Sequence, residues 1–397
     1  MSPGRLRVLY LDICATFLNP TRNLMLPLLR AAAETTCFGP GYVEETVLRK
    51  GLRRFIDEFG PFDVVATNSH IIFAQAYERV PSPAIFRRAY AFSFDDGDLL
   101  ELANIAQELC VLSERRLVRV AMFLESDYYN WSHREIDALE RRADYVIGFG
   151  PEFWRCKAEL PDLGREAFAG QATDAWADWV GANAERIASL PHFVAETEFR
   201  WDRLAHRRHD WGMPGIQYHA RRQARATLAR NGIRPLGESP LRRVMGLLKK
   251  LKVMRREPRW LQHHLNADHQ DRLGSVRFAY TCGSGLNMPV RKFFEIPAAG
   301  AVLVCQPFNG FAAAGFRDGE NAVVCRPEKI MEAHRALASD LAWAQKIADA
   351  GSRLVFERHS LAARARQFAD TLAAMADRSF AGGRWVDGRY TVIRRKA

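Results

Sequence analysis

Short apolar runs alternate with stretches of helical hydrophobic spacing along the first 150 residues. The apolar runs have the length of buried strands, and the stretches between them carry apolar residues three or four positions apart. The predicted strands cover residues 7–13, 35–38, 62–67, 117–124 and 144–149. The predicted helices cover residues 21–33, 47–59, 99–112 and 132–143, the first of them interrupted or kinked at Pro27. This order predicts an α/β fold with parallel sheets.

The second half of the chain repeats this alternation. A basic helix is predicted at residues 218–231, where Asn231-Gly232 is a favourable helix end. Strands are predicted at 277–282 and 301–306, with a helix between them that ends at Gly300.

A stretch with turn-forming Gly and Pro residues, at 209–215, marks the expected junction between the two halves. We therefore expect two Rossmann-like domains facing each other across a cleft, at residues 1–205 and 206–375. The tail at residues 376–397 is expected to pack back on the first domain.

The loop between the two predicted strands of the second half is rich in small residues. It contains Gly283, Ser284 and Gly285, and Asn287 can cap a helix that has Pro289 in its first turn. Such a loop lets a ligand approach the backbone, and a helix start favours a phosphate.

Two charged side chains extend this predicted phosphate site. Arg291 would lie in the first turn of the helix and could bind the phosphate, and Glu295 shares its face at i+4. A carboxylate at that position could accept both hydroxyls of a ribose. The same two residues could equally form an exposed ion pair of small energetic value.

Composition narrows the classes of protein that fit. The 397 residues carry a formal net charge of +11, which suits an anionic partner, although a solvated basic face would give the same count. The seven cysteines form no C-x-x-C pair, which favours a reducing compartment and disfavours a zinc site. We find no signal peptide and no bilayer-spanning apolar stretch, and therefore expect a cytoplasmic protein.

Residues 287–304 (NMPVRKFFEIPAAGAVLV) and 315–324 (GFRDGENAVV) resemble the C-terminal domain of GT-B glycosyltransferases. The resemblance is strongest to the branch called CgeB-like or spore-maturation-protein-like, whose R-H-[ST] signature is matched at 358–360. It covers roughly residues 206–375, and over 1–205 it is limited to the α/β pattern.

The resemblance implies roles for individual residues. The family's ribose-binding Glu matches Glu295, whereas Asn287 stands where many relatives have a second Glu that contacts the donor sugar. Gly215, Tyr218 and Arg222 resemble the family's G-x-x-Y-x-x-R motif at the cleft. Arg221 or Arg222 could neutralise the diphosphate, or both could lie on a solvated basic helix. The GT-B architecture usually needs no bound metal, so no cofactor is expected.

The first domain offers candidates for the catalytic groups at its predicted strand ends. Asp127 is the preferred base or acceptor-binding group, and His70 is a second candidate. Each could instead be an ordinary residue of a polar loop.

Two further stretches could bind a metal or contact a membrane. The histidines of 263–269 (HHLNADH) lack the spacing of a zinc-binding helix, so we interpret them as a helix near the nucleotide without a metal. Residues 242–259 form a basic amphipathic stretch that could contact an anionic membrane, or be a surface helix or mobile loop. No nucleic-acid-binding motif accompanies the charge.

These observations predict a hexosyltransferase-type glycosyltransferase. It would move a sugar from a nucleotide diphosphate donor to a glycan, lipid-linked or protein acceptor, as in cell-surface glycan biosynthesis. The alternatives are a sugar-nucleotide epimerase with the same two-domain fold and a non-catalytic scaffold protein.

Overall fold

The described part of the chain forms two parallel sheets and one antiparallel hairpin, with helices packed on them. This computed structural model describes residues 5–14, 24–68, 71–72, 96–122, 133–153, 175–215, 217–250, 259–284 and 287–396.

The first sheet contains six parallel strands in the order β2-β1-β3-β4-β5-β6. The strands are β1 Arg7–Leu11, β2 Glu34–Phe38, β3 Val64–Asn68, β4 Val118–Met122, β5 Tyr145–Gly148 and β6 Ile187–Ser189. Helices cover both faces of this sheet, so β1, β3 and β5 are almost entirely buried, and most of their residues are apolar. The predicted strands are therefore confirmed, with ends shifted by a few residues.

The helices of this half differ from the prediction around Pro27 and Gly51, and the predicted helix 99–112 is divided between residues 107 and 110. They are α1 Met25–Ala32, α2 Glu45–Leu48, α3 Gly51–Phe59, α4 Asp96–Gln107, α5 Cys110–Glu114, α6 His133–Arg142 and α7 Ala175–Ala182. Pro27 lies in the first turn of α1, where its missing N–H is not needed, so the predicted interruption is wrong. The predicted helix 47–59 is divided because Gly51 has a positive φ of 83°.

The second sheet contains four parallel strands in the order β10-β9-β8-β7. The strands are β7 His209–Gly212, β8 Val276–Thr281, β9 Val302–Cys305 and β10 Val323–Val324. The helices are α8 His219–Arg230, α9 Pro240–Lys250, α10 Arg259–Gly274, α11 Lys292–Ala298, α12 Ile330–Ser339, α13 Leu341–His359 and α14 Leu361–Ala376. Two parallel sheets with connecting helices confirm the predicted α/β class.

The chain returns to the first sheet after α13. Main-chain bonds join Val194 to both sides of this crossing, since its N–H donates to the His359 carbonyl at 3.2 Å and its carbonyl accepts from Leu361 N–H at 2.8 Å. The hairpin of β11 (Phe380–Val386) and β12 (Arg389–Arg394) follows, and Phe380 packs edge-on against Tyr145. The domain boundaries 1–205, 206–375 and 376–397 stay predictions.

The carboxyl ends of the two sheets meet. Phe153, which follows β5, packs against Phe308, which follows β9, with ring centroids 6.2 Å apart. Ligands of open parallel sheets bind at this edge, because the strand order reverses there and leaves a crevice. Among the described residues, no helix has the length and apolar content needed to cross a bilayer.

Candidate functional site

Gly215, which follows β7, lies where two cationic side chains approach the backbone. Its φ is +96°, and a Cβ placed there would lie 2.8 Å from Lys292 Cε and 3.5 Å from Arg221 Nη1. A side chain at this position would be strained and would collide with Lys292. The glycine therefore lets Lys292 and Arg221 lie together at the end of β7.

The predicted phosphate loop has a different shape from the one expected. Asn287 has a left-handed φ of 53°, and the Met288 N–H donates to the Gly283 carbonyl at 2.7 Å. The Asn287 side chain donates to Asn309 Oδ1 at 2.9 Å. Helix α11 begins only at Lys292, so the predictions that Asn287 caps it and that Pro289 lies in its first turn are wrong.

The late helix start has a local cause. Proline disfavours the helical conformation of the residue before it, which here is Met288. The left-handed Asn287 and the Met288 turn then occupy the position that the prediction gave to the first helical turn. Ser284 also has a positive φ, of 64°, and Gly285 lies outside the described residues.

Glu295 is the centre of a buried ion-pair cluster. Its side chain is 5% exposed, and it accepts hydrogen bonds from Arg291 at 2.5 Å, from His269 at 3.1 Å and from Lys292. Lys292 Nζ also lies 3.0 Å from His269 Nε2. The predicted i,i+4 pair of Arg291 and Glu295 is present, but it is buried and not exposed.

Arg291 joins this cluster to the segment that connects the two sheets. Its Nη2 donates to Glu198 Oε1 at 2.6 Å, while Glu198 Oε1 also accepts the N–H of Ala195 at 2.7 Å. The Arg291 guanidinium therefore bridges two carboxylates. The prediction that Arg291 binds a phosphate requires a free guanidinium at the helix start. In the structure this guanidinium is bound to Glu198 and Glu295.

Burial and the charged neighbours shift the pKa values of the ionisable side chains in this cluster. Burial opposes ionisation of Glu295, but Lys292, His269 and Arg291 hold the pKa of this carboxyl well below its usual range. Burial and the charge of Lys292 lower the pKa of His269, so its imidazole is neutral at pH 7. Burial also lowers the pKa of Lys292.

Helix α8 contributes Arg221 to this site. Arg221 is 2% exposed, and its Nη2 donates to the Pro214 carbonyl. Arg222 is exposed and donates to the Gln217 carbonyl at 2.8 Å, so the structure does not bring it to the cluster. Tyr218 precedes the helix and is half-buried. We call Arg221, Arg291, Lys292, Glu198, Glu295 and His269 the Glu295 cluster.

The first sheet contributes His192, which follows β6. Burial, together with the charge of Arg291, lowers the pKa of His192 to about 3, so this ring is neutral. Its ring packs edge-on against Phe149, with centroids 5.5 Å apart. Because β6 has three residues and is not among the predicted strands, no sequence signal marked His192 as lying at this edge. The predicted catalytic residues His70 and Asp127 lie outside the described residues.

The histidines of α10 separate into two groups. His263 and His264 are exposed, Asp268 pairs with Arg272 at 3.1 Å, and His269 belongs to the Glu295 cluster. In the part of the chain that the structure describes, no three His, Cys, Asp or Glu side chains form a group that could hold a metal.

The R-H-S signature at 358–360 stabilises the crossing between α13 and α14. His359 is fully buried and its Nε2 donates to the Ala314 carbonyl at 2.8 Å, while its Nδ1 accepts from Arg364. Arg364 lies over the Trp385 ring at 4.1 Å, and Ser360 caps α14 through a bond from Ala363 N–H. The signature therefore stabilises the fold, and His359 packs against Phe294, the neighbour of Glu295 in α11.

Comparisons with known proteins agree with this architecture. A sequence model of the family described as "Glycosyl transferase-like" matches residues 258–370, which include His269, Arg291, Lys292 and Glu295. A search of curated protein sequences gives no match.

Solved structures resemble the chain over nearly its whole length. One is the Anabaena protein HepE (Alr3699) in complex with UDP and glucose, with a TM-score of 0.53 at 10% identity, covering 93% of this chain and 100% of that one. HepE in complex with UDP-glucose gives the same values. A glycosyltransferase from Rickettsia africae ESF-5 gives a TM-score of 0.50 at 10% identity, covering 94% and 99%. The chain therefore has the GT-B fold of two Rossmann-like domains, with the Glu295 cluster at the carboxyl ends of β7 and β8.

Proposed function

We propose that this protein is a glycosyltransferase that binds the diphosphate of a nucleotide-sugar donor at the Glu295 cluster. The observation that carries the proposal is the cluster itself. Three cationic side chains, Arg221, Arg291 and Lys292, converge at the ligand-binding edge of the second sheet, where the cluster contains two carboxylates, Glu198 and Glu295. An excess of buried positive charge is stabilised by an anionic ligand. Four of the six cluster residues also lie in the segment that matches the glycosyl transferase-like family.

The donor would meet the cluster at Gly215, where Lys292 and Arg221 flank the backbone. In the reaction the bond from the sugar's anomeric carbon to the diphosphate oxygen breaks, and a bond to the acceptor oxygen forms. The nucleoside diphosphate leaves with an added negative charge, which Arg221 and Lys292 would neutralise without a metal. The acceptor hydroxyl loses its proton to a base, for which Asp127 and His70 remain the predicted candidates.

Glu295 is proposed as the ribose ligand on the basis of its match to the family's ribose-binding Glu. Both of its oxygens accept bonds from Arg291, Lys292 or His269 in this structure. Binding of the ribose hydroxyls would therefore replace at least one of these bonds. Lys292 is the donor best placed to exchange, because it lies beside Gly215 and can transfer its bond to the diphosphate.

We extend this proposal to the branch of the family and to the acceptor. The CgeB-like sequence features support membership of that branch and an acceptor that is a glycan, a lipid-linked sugar or a protein. A role in cell-surface glycan biosynthesis and a cytoplasmic location would fit such an acceptor. Contact with a membrane through residues 242–259 would bring a lipid-linked acceptor within reach, and it involves residues outside the Glu295 cluster.

A nucleotide panel tests the function. UDP is the first ligand to titrate, because the similar Anabaena protein is solved with UDP and UDP-glucose. Binding of one nucleoside diphosphate, with slow hydrolysis of its sugar derivative and transfer when acceptor is added, supports the transferase. Formation of an epimer without acceptor would favour the epimerase. If no nucleotide of the panel binds, the proposal is refuted, and the remaining hypothesis is the non-catalytic scaffold.

Arg221 and Arg222 form a matched pair for testing the diphosphate site. Arg221→Gln is expected to weaken binding of the nucleoside diphosphate by about tenfold or more, because one charge-assisted hydrogen bond is lost. Arg222→Gln removes the same charge from the exposed side of α8 and is expected to change the affinity by less than about twofold. Isothermal titration calorimetry compares the two, after thermal melting has shown that Arg221→Gln is folded. Equal losses in both variants would contradict the assignment of Arg221.

A further inference from the structure

Two charged side chains, Glu238 before α9 and Arg242 in its first turn, form an ion pair without a hydrogen bond. Arg242 Nε lies 3.8 Å from Glu238 Oε2, which is longer than a hydrogen bond. Among the described residues, Glu238 Oε1 and Arg242 Nη2 are buried and have no hydrogen-bond partner. We call these two residues the Glu238–Arg242 pair.

The unsatisfied atoms of this pair are costly in the free protein. The Glu238 and Arg242 side chains are 18% and 23% exposed, so water reaches them only in part. A charged group that loses its hydration without gaining hydrogen bonds is destabilising, and such groups in proteins are normally bonded. An anion would be repelled by the carboxylate, and a cation would be repelled by the guanidinium. A neutral polar ligand is therefore the partner that both side chains can bind together.

The segment after α8 places Glu238 at the carboxyl edge of the second sheet. Leu236 runs parallel to the end of β7, where its N–H donates to Trp211 and its carbonyl accepts from Met213, each at 2.8 Å. Glu238 follows two residues later, at the edge where the Glu295 cluster lies. Burial lowers the pKa of Lys292 in that cluster, and the negative charge of Glu238 opposes this shift.

Helix packing places Arg242 beside the same cluster. Met245 of α9 and Leu265 of α10 belong to one buried apolar group. Arg242 and His269 each lie about one helical turn from these residues, on the same helical faces. Burial and the charge of Lys292 lower the pKa of His269, and the charge of Arg242 adds to this effect. The Glu238–Arg242 pair therefore adjoins the Lys292 and His269 side of the Glu295 cluster.

The hydrogen-bonding groups of the pair have a specific order. A carboxylate provides two acceptor oxygens, and a guanidinium provides donors in a fixed planar fork. Side by side they present acceptor, acceptor, donor, donor. Guanine presents the complementary order along one edge, because N2–H and N1–H donate whereas O6 and N7 accept. Uracil and thymine have a single N–H between two carbonyls, and adenine and cytosine have a single amino group, so none of them offers two adjacent donor groups.

We propose that the Glu238–Arg242 pair binds a guanine base and that the donor is therefore a GDP-sugar, which rests on the proposed function of the Glu295 cluster. A ribose at Glu295 brings its base to a neighbouring position, and the pair adjoins the cluster. The carboxylate accepts from N1–H and N2–H of guanine, and the guanidinium donates to O6 and N7. Each charged group then gains the bonds that it lacks in the free protein, while the base itself stays neutral.

Calorimetric titration of the full chain with GDP, inosine diphosphate and UDP tests the proposal. Inosine diphosphate lacks only the amino group of guanine, so it probes the carboxylate contact alone. GDP is expected to bind about tenfold more tightly than inosine diphosphate, and to exceed UDP by a larger factor. The Anabaena protein solved with UDP shares the fold at 10% identity, which does not determine the base that this chain binds.

The outcomes distinguish the guanine site from the proposed function. If UDP or inosine diphosphate binds as tightly as GDP, the guanine site is wrong, and the proposed transferase is unaffected. If no nucleotide binds, the proposed function fails and the guanine site fails with it.

Replacing Glu238 and Glu320 with glutamine gives a matched pair of variants. Glu238→Gln is expected to weaken GDP binding by about tenfold and to remove the advantage of GDP over inosine diphosphate, because the amide keeps one acceptor oxygen. Glu320→Gln makes the same change in an exposed ion pair with Arg317 at 3.6 Å, and should leave GDP binding unchanged. Thermal melting shows that both variants are folded.

Arg242→Gln tests the other half of the pair. It should weaken GDP and inosine diphosphate equally, since both bases carry O6 and N7, whereas Glu238→Gln should affect mainly GDP. A purely structural role of the pair would leave the difference between GDP and inosine diphosphate unchanged in both variants. If Glu238→Gln and Glu320→Gln bind GDP equally well, Glu238 does not contact the base and the proposal is wrong.

Discussion

Replacing Glu295 with glutamine is expected to lower the free energy of unfolding by about 3–5 kcal/mol and to abolish nucleoside diphosphate binding. The loss of stability follows from burial. The substitution leaves Lys292 without a carboxylate among its hydrogen-bond partners, and leaves Arg291 with Glu198 as its one carboxylate. A buried cation without its partner is strongly destabilising, whereas the same pair on the surface would contribute less than about 1 kcal/mol. Chemical denaturation measures this effect.

The loss of binding follows from the proposed role of Glu295 at the ribose. Calorimetric titration with UDP and GDP, at a temperature where circular dichroism shows the variant folded, measures it. Affinity equal to that of the wild-type protein would contradict the ribose assignment even if stability falls as expected.

Glu198→Gln is the matched control for this experiment. Glu198 is also buried, with a side chain that is 9% exposed, and it binds the same guanidinium of Arg291. Its loss should therefore destabilise the fold by a similar mechanism. It lies in the segment between the sheets, and the proposal gives it no ligand, so nucleotide affinity should be retained. If both variants lose affinity equally, the effect comes from disruption of the cluster and not from Glu295 at the ribose.

Lowering the pH from 7 to 5 is expected to destabilise the protein before its carboxylates protonate. The pKa of His192 is lowered to about 3 by burial and by Arg291, and burial with Arg364 holds the pKa of His359 well below its usual value. In the unfolded chain both pKa values return to about 6.5. The unfolded state then binds more protons below that pH, so stability is present above pH 6.5 and is lost as the pH falls.

The expected size of this effect is up to about 2 kcal/mol for each histidine between pH 7 and 5. For His192 the loss continues down to a pH of about 3, where the folded protein also takes up the proton. Glu295 contributes in the same direction, but only below its unfolded pKa of about 4.3. Urea denaturation at a series of pH values measures the slope.

Variants at two histidines identify the groups responsible. His192→Asn should reduce the slope of unfolding free energy against pH by up to about 1.4 kcal/mol per pH unit between pH 6 and 4. His219→Asn removes an exposed histidine of α8 and should leave the slope unchanged. Parallel profiles for wild type and His192→Asn would mean that His192 is not held neutral in the folded state.

The predicted start of α11 shows where local signals were insufficient. Asn287 and Pro289 both favour helix starts, but Asn also tolerates the left-handed conformation that it adopts here, and local signals do not choose between the two. That conformation is held by contacts with Asn309, whose side chain and N–H both bond to Asn287. The two residues are 22 positions apart, so only the folded loop after β9 brings them together.

The signature at 358–360 shows a related limit. The signature resembles a family pattern, but the pattern alone did not say what the residues do. In the structure His359 is enclosed by Phe294, Phe316 and Trp385, with its nitrogens bonded to Ala314 and Arg364. The aromatic rings come from three separate segments, and their contacts stabilise the crossing between the sheets.

The sequence by itself determined the alternation of strands and helices, and with it the α/β class and the parallel sheets. Periodicity is sufficient for this, because burial on both faces requires continuous apolar strands, and helical spacing depends on residues three or four apart. The sequence also placed Arg291 and Glu295 on one helical face. Only the tertiary structure decided that this pair is buried and shared with Glu198, His269 and Lys292. The reason is that the strength of a charge interaction depends on solvent access and on partners up to 93 residues away, which local spacing does not encode.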